Sequence, residues 1–188
     1  MSTGHHDHVH DDVHDQPADH VHDAACAAAH GQVVLPPDQR RLVLVFASAV
    51  ATEMAALAER LGWPVTLLEP GTPSPADGGR VVSSVTEAAL DVGCDVVLCD
   101  HGRPELGDLL AEVLAGPTRW VGVMGSLRHT APHVEALRSR GVDAASIARV
   151  HRPIGLDIGS HTPAEIAVST VAGLLADRNG RPGGPFPS

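Results

Sequence analysis

For residues 39–188 the sequence predicts an α/β fold: a Rossmann-like, doubly wound, mainly parallel sheet with helices on both faces. Three observations predict it. Short continuous apolar runs such as Leu42-Val43-Leu44-Val45-Phe46 have the composition of strands buried on both faces. Stretches with helical periodicity alternate with those runs along the whole segment. Small or turn-forming residues stand at the junctions.

Taken in order, residues 41–46 form the first strand, followed by a short Ala47-Ser48-Ala49 turn. Residues 50–61 form a helix with Met54, Leu57, Ala58 and Leu61 on one face, and Gly62 ends it. Residues 64–68 form the second strand, with Glu69 at its carboxyl end. This β-α-β unit has the length of a nucleotide-binding half-domain. A Gly- and Pro-rich loop covers 70–79, and 80–82 is a short strand. A helix over 85–92 leads to a strand over 95–99. A helix over 105–114 leads to a strand over 119–124. A further helix lies within 128–140, starting near Pro132, and a helical turn covers 144–149. The last helix starts with Thr162 as N-cap, Pro163 at N1 and Glu165 closing a capping box, and ends at Asn179-Gly180.

Residues 1–38 differ in composition. The pattern Asp7-His8-Val9-His10-Asp11 recurs as Asp19-His20-Val21-His22-Asp23, and Pro36-Pro37 closes the block. So polar a segment buries too little apolar surface to offset its ordering entropy, so it is expected to be a disordered His/Asp-rich tail. His5, His6, His8, His10, His14, His20 and His22 alternate with carboxylates, a donor set suited to zinc, nickel or copper(II). A divalent metal at the tail is the corresponding expectation; a solubilising tail is the bland alternative.

Composition excludes several classes. The formal net charge is −10, and all 13 basic residues are arginines, which argues against nucleic-acid binding. Trp63, Trp120, Phe46 and Phe186 are the only aromatics, too few for a base-stacking platform. The three cysteines, Cys26, Cys94 and Cys99, form no CxxC motif, and Cys94 and Cys99, at the edges of an apolar strand, are expected to be buried thiols in a reducing cytosol. No signal peptide and no membrane-spanning run is visible, so a cytoplasmic protein with no membrane partner is expected.

In a parallel sheet, ligands bind beyond the carboxyl ends of the strands, where strand order reverses. That rule selects Ala47-Ser48-Ala49, Glu69, Asp100-His101-Gly102 and Gly125-Ser126. The first lacks the glycines that let backbone N–H groups close on a pyrophosphate, while Glu69 stands where a ribose-binding acid belongs. NAD(P) is therefore one possible cofactor. His101 could serve as acid, base or orienting donor, or be a solvated residue in a turn. Ser126 could cap a helix beside Arg128 and His129 and receive an anion. The loop over 153–166 packs Gly155, Asp157 and Gly159 into an apolar run and could be a site wall or a tight turn.

Four segments together resemble the C-terminal Rossmann domain of the XdhC/CoxI family. They are residues 119–126, 135–138, 151–159 (His151-Arg152-Pro153-Ile154-Gly155-Leu156-Asp157-Ile158-Gly159) and 162–169, with a similar ending over 178–185. The resemblance implies an accessory protein, rather than an enzyme with turnover, for maturing molybdenum hydroxylases of the xanthine dehydrogenase type. Such a protein binds the molybdenum cofactor (molybdopterin), protects it during sulfuration and delivers it. Gly125, Ser126, Gly155, Asp157 and Gly159 fall on the family's motifs, and His101 stands where the family has a Thr-His pair. The implied partners are a molybdenum hydroxylase subunit, a separate protein carrying the family's N-terminal domain, and a cysteine desulfurase; a homodimer is compatible with it. The family's Gly-x-Gly turn is replaced by Ala47-Ser48-Ala49. An NAD(P)-dependent or nucleotide-sensing protein, and a metal-handling protein acting through the tail, are the alternatives.

Overall fold

The structure, a computed structural model, describes Met1 and residues 40–71, 80–125 and 131–184. The tail histidines His5 to His22, Cys26, Ser126, Arg128 and His129 therefore lie outside the described residues.

Six strands form one sheet in the order β3-β2-β1-β4-β5-β6, and every pairing is parallel. They are β1 (Arg41–Val45), β2 (Val65–Leu68), β3 (Arg80–Val82), β4 (Cys94–Leu98), β5 (Trp120–Val123) and β6 (Val150–His151). The order reverses between β1 and β4, which is the topological switch of a doubly wound Rossmann sheet.

Among the described residues six helices flank the sheet: α1 (Ala49–Arg60), α2 (Val85–Ala88), α3 (Leu106–Ala115), α4 (Pro132–Arg138), α5 (Ala144–Ala148) and α6 (Pro163–Arg178). Strand alternation divides the core in two. Val43, Val45, Val96, Leu98, Val121 and Val123 point to one face and pack with Leu110, Val113 and Leu137 of α3 and α4. Leu42, Leu44 and Val97 point to the other and pack with Met54 and Ala58 of α1 and with Val171 and Leu174 of α6.

Two expectations need correction. The helix expected over 85–92 stops at Ala88, because Ala89 takes a left-handed conformation (φ 50°) and closes it as C-cap. Leu61 is the C-cap of α1 and 46% exposed, so it leaves the buried stripe of that helix. The capping box of α6 forms as read: Thr162 accepts from the Glu165 N–H, and Glu165 accepts from the Thr162 N–H. Cys94 and Cys99 are buried thiols. Among the described residues no helix is long and apolar enough to cross a membrane.

Candidate functional site

Parallel strands deliver the ends of β1, β2 and β4 to one carboxyl edge, where three of the sequence-selected places meet. Phe46 follows β1, is fully buried and holds φ 73°, a left-handed conformation that costs a non-glycine residue roughly 1 kcal/mol or more. It turns the chain so that the Ala47 N–H donates to Glu69 Oε2 at 2.6 Å. Arg103 grips the same carboxylate, 3.0 Å from Oε1, and stacks its guanidinium over the Phe46 ring at 4.8 Å. Glu105 accepts from Arg103 as well and, with Glu69, holds that guanidinium above its usual pKa. Ser48 accepts from the Ala51 N–H at 3.1 Å and so caps α1.

A dinucleotide-binding turn offers its N–H groups to pyrophosphate. Here the first of them is occupied by the chain's own carboxylate. Across the switch, Asp100 accepts from the Gly102 N–H at 2.8 Å and folds a tight turn that leaves His101 exposed. Burial pushes the Cys99 thiol up to about 12, with the Asp100 carboxylate adding to it, so this sulfur is no nucleophile at neutral pH.

A second group forms at the ends of β5 and β6. A Cβ on Gly125 would lie 2.5 Å from Nε and Nη2 of Arg152. The missing side chain is what lets the guanidinium reach the end of β5. His133, on the first turn of α4, is 4% exposed, and its Nδ1 has no hydrogen-bond partner. Burial holds this imidazole below the usual histidine range, and the Arg152 charge adds to that.

The loop over 152–162 leaves the edge strand β6 and is bound to α6. Gly155 has φ 87°, and a Cβ there would lie 2.5 Å from Ser169 Oγ and 3.1 Å from Thr170 N. Ser169 donates its hydroxyl to the Leu156 carbonyl, whose own N–H donates to the Ser169 carbonyl at 3.1 Å. Gly155 is thereby a close-packing residue. Gly159 has φ 68° with open space around it, and Asp157 is exposed. A cavity of about 260 Å³ runs along α6 between Trp120, which stacks on His151 at 4.8 Å, and Asp177 and Arg181. It falls short of the roughly 300–1,000 Å³ of small-molecule pockets.

The sequence-selected residues thus fall into separate groups: Glu69 and His101 around the switch, Gly125 beside Arg152, and Gly155, Asp157 and Gly159 on the loop. Sequence reasoning missed Arg152 and His133 as a pair. Arg152 lies inside a family-like motif, but nothing local tells that its side chain folds onto Gly125. It also missed Asp95, fully buried at the amino edge of the sheet and met by Arg40 at 3.3 Å, Arg119 at 2.5 Å and Arg178 at 3.8 Å. Among the described residues, no group of three or more His, Cys, Asp or Glu is placed to hold a metal ion.

The sequence profile of the XdhC Rossmann domain matches residues 42–174. The uncharacterized protein YqeB of Escherichia coli (strain K12) is 32% identical over 153 residues, which is 77% of this chain and 28% of YqeB. A crystal structure from Bacillus halodurans, described as that of a xanthine dehydrogenase, superposes with a TM-score of 0.62 at 19% identity. That match covers 79% of this chain and 46% of the other, and at this identity it is a likeness of fold. The chain spans less than half of either relative's length.

Proposed function

The chain belongs to the XdhC family through its Rossmann domain, and from that premise we propose that it serves the maturation of a molybdenum hydroxylase of the xanthine dehydrogenase type. In this reading it acts as an accessory protein that holds the molybdenum cofactor and hands it to the apoenzyme. The expected partners are the hydroxylase subunit, a protein carrying the family's N-terminal domain, and a cysteine desulfurase.

The single observation that carries the reading is the guanidinium laid against Gly125 at the carboxyl edge. The cofactor is a pterin with a phosphate, and a guanidinium fork matches phosphate oxygens. Arg152 would hold the phosphate, while His101 and Asp157, both exposed, would meet the polar edges of the ring. When bound, the cofactor supplies the molybdenum–sulfur centre on which the hydroxylase depends. Gly155 and Leu156 hold the loop that carries Asp157 on α6.

The dinucleotide reading is weaker, because the Ala47 N–H that would meet a phosphate is bonded to Glu69. The metal-handling reading rests on residues outside those described. It predicts that deleting residues 1–30 abolishes function, whereas the cofactor reading predicts only a quantitative loss.

Anaerobic equilibrium titration of the full chain with purified molybdenum cofactor tests the proposal. Saturable binding, weakened by Asp157→Ala more than by changes at Ala47 or Ala49, is the expected result. Absence of saturable binding, with or without the partner hydroxylase, overturns it.

A further inference from the structure

We propose that Arg152 and His133 together form a phosphate-monoester site at the carboxyl ends of β5 and β6. The inference deepens the cofactor reading, on which it rests only for the identity of the natural ligand.

Four observations converge on it. Arg152 directly follows β6, and its guanidinium occupies the space that a side chain at Gly125 would take. The glycine is therefore explained by the approach of a cation. His133 is buried to 4% exposure with Nδ1 unbonded, an unfavourable state that requires a reason. Arg152 lies near enough for its charge to oppose protonation of that imidazole, so the two groups share one environment. Finally, the pair stands at the sheet edge where parallel folds bind ligands, in a chain of net charge −10.

The chemistry selects the ligand class. Two oxygens of a phosphate monoester take the guanidinium fork, and a third remains to accept from the imidazole N–H. A carboxylate brings only two oxygens and a single charge, so the imidazole N–H must share an oxygen that the fork already uses. Phosphate is therefore preferred over a carboxylic acid.

The test is calorimetric titration of phenyl phosphate into the full chain, in a zwitterionic buffer with chelator present. Benzoate serves as the carboxylate arm. Saturable binding of phenyl phosphate is expected, with benzoate weaker. Arg152→Gln should lose about tenfold or more in affinity, as for loss of a charged hydrogen bond. Arg152→Lys keeps the charge but loses the fork and should retain only part of the affinity. His133→Gln, checked by melting, should also weaken binding. No saturable heat with phenyl phosphate, or equal affinity in wild type and a folded Arg152→Gln, overturns the inference. Binding of the molybdenum cofactor without binding of phenyl phosphate sinks this site and spares the cofactor reading. Arg152-dependent phenyl phosphate binding without cofactor binding does the reverse.

Discussion

Gly155→Ala separates the packing role of the 152–162 loop from its ligand role. The backbone at Gly155 has φ 87°, where an alanine costs about 1–2 kcal/mol. The new Cβ would also lie 2.5 Å from Ser169 Oγ, 3.1 Å from Ser169 C and 3.1 Å from Thr170 N. Two of these three are backbone atoms of α6, which also packs on β-strand residues and α1, so the helix has little room to shift. Overpacking of that kind costs about 1–3 kcal/mol. Loss of unfolded-state freedom returns about 0.4–1 kcal/mol. The net expectation is about 1–5 kcal/mol, a drop in Tm on the order of 2–20 °C for a domain this size. Gly159→Ala is the control: its φ is 68° but nothing lies within 4 Å of the added atom. It should cost only about 1 kcal/mol. Guanidinium unfolding followed by the fluorescence of Trp63 and Trp120 measures both. Equal stability of the two variants would refute the argument that Gly155 is glycine because α6 approaches it.

Asp95→Asn should destabilise by about 3–5 kcal/mol, because it removes the carboxylate on which Arg40, Arg119 and Arg178 converge inside the sheet; urea unfolding checks it. Stability should fall as pH drops below the usual histidine range near 6.5. The unfolded His133 then takes a proton that the folded one, its pKa depressed by burial, refuses. His133→Gln should flatten that part of the pH–stability curve. NAD(P)H should leave the Tm unchanged in the wild type, since Glu69 already bonds the Ala47 N–H; a clear rise would reinstate the dinucleotide reading.

Much of the fold was legible in the sequence because its strands are continuous apolar runs and its helices carry local stop signals. Leu42 to Phe46 buries on both faces whatever follows it, and the Thr162-Pro163-Glu165 start of α6 is encoded within four residues. What escaped depends on pairings distant in the chain. β6 is only Val150–His151, a strand by virtue of its partner β5. Asp95 looks like any polar residue at a strand start until three arginines far from it in sequence close around it. Within the candidate site, Gly125 and Gly155 were singled out from the sequence as motif glycines, and each meets a close contact that a Cβ would obstruct. The reasons, Arg152 in one case and α6 in the other, are tertiary contacts that no local pattern reveals. Glu69 was chosen as a ribose-type acid; its neighbours Ala47 and Arg103 came from the fold.

Holding the molybdenum cofactor and delivering it is the role proposed for this chain. Anaerobic reconstitution of an apo molybdenum hydroxylase of the xanthine dehydrogenase type tests it most directly, with equal cofactor supplied free or pre-mixed with the full chain. Faster and more complete activation with the pre-mixed chain, reduced by Arg152→Gln and Asp157→Ala, is the predicted result. Activation that is identical with and without the chain would contradict the account.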